Sequence, residues 1–165
     1  MKKIVFVLFF MIFFPLSGQA QILRGYDALH QGPAISSSLN VHDGTDLAHL
    51  YFQKTIGYSA TFYTLLAYDK DFQTIYAPGT VLSLSIDNRT FKFIPQTSHK
   101  KITAFPFNRL DGSRSEVNLT AEAITAIEGA EQIVLNFQFS DNDTLVYELP
   151  VAAVAEWKSV ISLKN

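Results

Sequence analysis

EQIVLNFQFSDNDTLVYEL, residues 131–149, reads as a β-hairpin with one oily side. Ile133, Leu135, Phe137 and Phe139 alternate on the first arm, and Leu145, Tyr147 and Leu149 on the second. A three-residue loop, Asp141-Asn142-Asp143, sets Phe139 opposite Leu145, Phe137 opposite Tyr147 and Leu135 opposite Leu149. A two-residue loop would instead set the apolar residues against Thr144, Val146 and Glu148. A one-residue slip turns a whole arm over, so the three-residue loop is expected.

A second hairpin stands upstream in Val81–Ile94, VLSLSIDNRTFKFI. A two-residue turn at Asp87-Asn88 pairs Leu84 with Phe91 and Leu82 with Phe93, leaving Ser83, Ser85, Thr90 and Lys92 on the other face. Both turn residues tolerate positive φ. One apolar and one polar face predict a place near a sheet edge. Leu47–Thr55 and Ala60–Tyr68 are strand-like and apolar on both faces. Strands of that kind are usually covered on both sides, so these two are expected in the middle of the fold. Ile102–Phe107 is a further strand, interrupted at Pro106, and Arg109–Ser115 a polar turn.

Two short helices complete the pattern. Ala121–Glu128 starts after the N-cap residue Thr120, with Leu119 and Ile124 placed as a hydrophobic staple. Pro150 opens a last helix through about Ser162, with Val151, Val154, Ala155, Trp157 and Ile161 on one side. The order predicts an α+β fold, an antiparallel sheet of about six to eight strands with two short helices packed on it. The alternative is a β-sandwich with accessory helices.

The N-terminus carries a targeting pattern. Lys2 and Lys3 precede the apolar run Ile4–Phe14, Pro15 ends it, and Ser17-Gly18-Gln19-Ala20 offers a cut after Ala20. Residues 1–20 are therefore read as a secretory signal peptide, too short in its 11-residue apolar core to span a bilayer. Residues 21–45, with Gly25, Gly32, Pro33 and Ser36-Ser37-Ser38, read as an irregular lead-in, and 46–165 as one domain. The expectation is a periplasmic or secreted bacterial protein without a stable membrane span. The chain has no cysteine, so disulfides, thiol chemistry and a lipid-anchored N-terminal cysteine are not expected. Without Lys2 and Lys3, the 13 Lys and Arg fall to 11 against 15 Asp and Glu, a net charge of −4. Such a balance gives nucleic-acid binding no electrostatic support.

Few motifs carry chemistry. His42, Asp43, Asp46 and His49 fall within eight residues and are the candidate metal ligands, although their spacing matches no specific zinc pattern. Asp141-Asn142-Asp143 opens like a calcium loop but has Val146 and Ala152 where the loop needs Gly and an acid. No Gly-x-Ser-x-Gly occurs, and His30 and His99 sit in loop-like stretches. Three Asn-x-Thr sequons, at Asn88, Asn118 and Asn142, read as turn and cap chemistry. Tyr51, Tyr58, Tyr63, Tyr68 and Tyr76 crowd the first half of the domain as a candidate aromatic recognition patch.

The functional expectation is an exported, non-enzymatic binding or protein-interaction domain with no cofactor. Its expected partner is another exported protein or a cell-envelope component. Two alternatives are a small secreted metal-dependent hydrolase built on residues 42–49 and a carrier of a small apolar ligand.

Overall fold

Alternation of apolar and polar residues at period two, repeated along most of the chain, builds two antiparallel sheets face to face. The computed structural model describes residues 21–43, 46–99, 102–105, 109–111, 114–141 and 143–164. The expected signal peptide and Pro106 lie outside the described residues. The chain opens with β1 (Gln21–Asp27) and β2 (Gly32–Asp43), then β3 (Asp46–Ile56) and β4 (Thr61–Asp69). The hairpin β5 (Val81–Ile86) and β6 (Arg89–Phe93) follows, then the short β7 (Gln96–Ser98), β8 (Ile102–Ala104), β9 (Arg109–Asp111) and β10 (Arg114–Asn118). The helix α1 (Ala121–Gly129) leads to β11 (Ile133–Gln138) and β12 (Thr144–Glu148), and α2 (Val151–Ser162) closes the fold.

The larger sheet has the order β1-β2-β3-β4-β10-β7, the smaller β12-β11-β5-β6, and β8-β9 form a separate ribbon. This is the expected α+β class in a sandwich-like arrangement. β3 and β4 occupy the middle of the larger sheet, as their two apolar faces require. The core face of the larger sheet carries Ile35, Leu39, Leu50, Phe52, Leu65 and Val117, all buried. They join Leu82, Leu84, Ile133, Leu135 and Phe137 of the smaller sheet, and both helices, in a single cluster.

The β5–β6 hairpin has the expected register, with Leu84 opposite Phe91 and Leu82 opposite Phe93. Asp87 turns the chain at φ 50, and its Oδ1 accepts the N–H groups of Glu131 and Gln132 at the start of the next hairpin. That next hairpin differs from expectation by two residues. Leu135 faces Tyr147 and Phe137 faces Leu145, so residues 139–143 form the connection. A slip of two keeps every side chain on its face, which is why the oily side is as read. The reason for the slip is Phe139. Its N–H donates to the Asp143 carbonyl at 2.9 Å, and its half-buried ring packs on the core.

Residues 21–45 are not an irregular lead-in: β1 and the whole of β2 lie within them. In β2, Ile35, Ser37, Leu39 and Val41 alternate toward the core, but serines at 36, 37 and 38 hide the period. Arg109–Ser115 is not all turn: β9 takes Arg109–Asp111, and Arg114 and Ser115 open strand β10, whose alternation the intervening polar residues hide. The first helix is as expected, with Thr120 Oγ1 accepting from the Ala123 N–H at 3.2 Å. The last helix is rotated from the expected stripe. Ala153, Val154, Trp157, Val160 and Ile161 are buried, whereas Val151 and Ala155 are exposed. Val151 sits in the first turn, with its side chain 82% exposed. Lys54 Nζ ties down the far end, donating to the carbonyls of Ile161 at 2.6 Å and Leu163 at 2.8 Å. A cation there complements the negative end of the helix dipole. Among the described residues no helix is long and apolar enough to cross a membrane.

Candidate functional site

The sequence puts polar residues in the hairpin tips, and the sandwich brings two of those tips to one end. The end of β2, the start of β3, the end of β4 with the turn after it, and the β11–β12 loop surround a pocket of about 510 Å³. Its apolar lining is Val41, Leu47, Ile75, Phe139 and Leu145. Its polar lining is Asp69, Asp71, Asp141, Asp143 and Thr144, with Lys70 the one cation among the lining residues. The volume falls within the ordinary range of small-ligand sites. Asp69 organises one wall: its Oδ1 accepts the N–H groups of Asp71 at 2.8 Å and Gln73 at 2.9 Å. That turn holds Phe72 at φ 59 and lays its ring on His49, centroids 4.7 Å apart and almost parallel. Asp141 Oδ1 accepts the Asp143 N–H at 3.2 Å in the opposite wall.

The two candidate metal ligands whose side chains are described, His42 and His49, share the β2–β3 hairpin. His42 is exposed, and His49 donates Nδ1–H to Asn40 Oδ1 at 2.7 Å. Burial lowers the His49 pKa. The side chains of Asp43 and Asp46 lie outside the described residues. Among the described residues, no three His, Cys, Asp or Glu side chains are grouped to hold an ion. The calcium-like stretch at 141–143 instead supplies two acids to the pocket rim.

The five tyrosines do not share one surface. Tyr51, Tyr68 and Tyr76 are buried, Tyr63 is half-buried, and Tyr58 alone of them is fully exposed. Alternation explains the split. Tyr51 and Tyr68 lie on one face of the larger sheet, while Tyr63 stacks near Phe52 on the other. Tyr76 donates its hydroxyl to the Leu65 carbonyl at 3.2 Å.

The densest polar chemistry lies elsewhere, on the face of the larger sheet that turns away from the core. Asp27, at the end of β1, accepts Arg114 Nη1–H at 2.9 Å on Oδ1. Its Oδ2 accepts from His30 at 2.8 Å, Gln53 Nε2 at 2.7 Å and Thr55 Oγ1 at 3.1 Å. Glu116 completes the group, with Oε1 3.1 Å from His30 Nε2 and Oε2 2.7 Å from Arg114 Nε. β1 and β10 are four strands apart, a flat distance of about 19 Å. Their ion pair therefore requires the sheet to curl, closing this face on itself. His30 is not isolated in a loop: it bridges two carboxylates and stacks on Phe62 at 4.3 Å. The missed clue was the spacing of Arg114, Glu116 and Asn118 around buried Val117, a strand alternation broken up by the preceding turn residues.

Burial alone would raise the Asp27 pKa, but the His30 hydrogen bond and the Arg114 charge outweigh it and hold the pKa at about 2. Burial alone would lower that of His30, but hydrogen bonds to Asp27 and Glu116 raise it to about 9. The signs set a pH window. The His30 contribution is complete below its ordinary 6.5 and is lost as pH rises through about 9. The Asp27 contribution is complete above 3.8 and is lost as pH falls through about 2. Thermal melts should therefore decline between pH 6.5 and 9. His30→Gln should flatten that alkaline limb; an unchanged slope in the variant would refute the assignment.

Comparison with protein-family models, curated proteins and solved structures gives no match for this chain.

Proposed function

We infer that this chain is an exported binding module and that its ligand seat is the pocket at the open end of the sandwich. The juxtaposition of an apolar wall with four carboxylates supports this reading. Such a lining favours a ligand with an apolar body and a positive charge, presented by an amine or by a basic segment of another exported protein. The leader-like first 20 residues support export. The site needs no reacting group of its own, since recognition by charge and apolar contact is complete without one.

Titration of the purified protein with a long-chain alkylamine, against the matching alkyl carboxylate, tests the reading. The amine should bind saturably and lose affinity in high salt. Asp71→Asn and Asp143→Asn should each weaken it about two- to fivefold, as expected for solvent-facing charges. Phe139→Ala should weaken both the amine and any neutral homologue. Equal binding of amine and carboxylate, or no binding of either, would rule the reading out.

A further inference from the structure

The curled face of the larger sheet carries a second feature, independent of the pocket. Ser36 is paired with Gln53, Gln53 with Thr64, and Thr64 with Asn118, so the four form one row across β2, β3, β4 and β10. Each bears a buried polar atom without a hydrogen-bond partner: Ser36 Oγ, Gln53 Oε1, Thr64 Oγ1 and Asn118 Oδ1. Ser36, Gln53 and Thr64 are wholly buried. Arg114 Nη2 is also buried and unpartnered. It belongs to the guanidinium held by Asp27, whose other oxygen holds the Gln53 amide. At the β1 edge of the same face, a Cβ on Gly25 would come within 2.1 Å of the Phe105 ring, so that ring lies directly over the backbone.

A buried polar atom without a partner is costly, and these five share one sheet face. We propose that this row is a binding site for a small neutral hydroxyl-bearing guest, either water molecules in file or a short polyol. The donor and acceptor inventory dictates the class. Gln53 Oε1 and Asn118 Oδ1 accept, because their amide nitrogens donate to Asp27 and Thr55, and to Gln96, respectively. Arg114 Nη2 can only donate, and the two hydroxyls do either. A guest that satisfies all five must both donate and accept. Strands lie about 4.8 Å apart, so one oxygen above the sheet reaches two neighbouring members of the row. The guest is uncharged because the site is already balanced, with Asp27 and Glu116 facing Arg114 and His30. An added ion of either sign would be buried without a counter-charge.

The test combines water-to-amide nuclear Overhauser contacts at the row with a glycerol and erythritol titration followed at the Thr64 and Gln53 resonances. Thr64→Val and Ser36→Ala, each the loss of one hydroxyl, are compared with the wild type. Long-lived water contacts at the row identify water as the guest; saturable shifts at millimolar polyol identify the polyol. In either case each variant should weaken the contact or the affinity about two- to tenfold, the loss of one neutral hydrogen bond. A general osmolyte effect would raise the melting temperature of all three proteins alike and leave the row's resonances unmoved. The proposal is overturned if the row shows neither water contacts nor saturable shifts. It is equally overturned if Thr64→Val melts higher than the wild type, as removal of a dry, unpartnered hydroxyl would produce. Should Thr64→Val not fold, Ser36→Ala carries the same comparison at the other end of the row.

Discussion

Arg114→Met should destabilise the protein by about 3–5 kcal/mol, the usual cost of removing one partner from a buried charge pair. The reason is geometric. Arg114 has a side-chain exposure of 0% and lies between two carboxylates, Asp27 and Glu116, at 2.9 and 2.7 Å. Methionine fills much of the same volume, so the loss would report charge rather than a cavity. Two anions would then face a single cation, His30, in a place water reaches poorly. The melting temperature should fall by roughly 10–20 °C for a domain of this size. Asp27→Asn placed on top of Arg114→Met should recover part of that loss, because the surplus negative charge is gone, and the two changes should be strongly non-additive. A loss below about 1 kcal/mol in the single variant would show that the charge cluster does not hold the curled sheet together.

Trp157→Ala should cost a similar amount, about 3–5 kcal/mol, by a different mechanism. The indole is 1% exposed and stacks on Phe52 with ring centroids 4.6 Å apart and planes inclined by 16°. It is the largest fully buried side chain among the described residues and lies where α2 meets β2 and β3. Deletion leaves a hole between helix and sheet that neither can close, because Lys54 fixes the helix end from the sheet side. Denaturant unfolding measures the loss directly as a lower midpoint with an unchanged slope. Val151→Ala on the same helix is the contrast. Its side chain is 82% exposed, and the change should be worth less than about 0.5 kcal/mol. Equal losses in the two variants would mean that α2 is seated on another face.

The chain's local chemistry was readable wherever one period dominated. Leu82, Leu84, Phe91 and Phe93 alternate without interruption, and Asp87-Asn88 admits one turn, so that hairpin could be registered from residues alone. The β11–β12 hairpin could be faced but not registered, since Phe139 satisfies the oily pattern equally well in the ladder or at the pocket. β2 was hidden because Ser36, Ser37 and Ser38 look alike, though Ser37 faces the core and reaches Glu156 at 3.0 Å. The two acid-rich tips that flank the pocket were visible singly. Their meeting depends on the order of strands in two sheets, which no local pattern encodes.

Residue spacing by itself determined the antiparallel α+β class, the two central strands, both helices and the polar hairpin tips. Those features rest on periods of two and 3.6 and on turn and cap chemistry, which act over a few residues. Only the tertiary structure decided that Asp27 would meet Arg114, 87 positions away, and that Ser36, Gln53, Thr64 and Asn118 would stand in one row. Such neighbours come from sheet curvature and strand order. Both are settled by the burial of side chains across the whole domain, where the gain from closing the core outweighs what any short segment prefers.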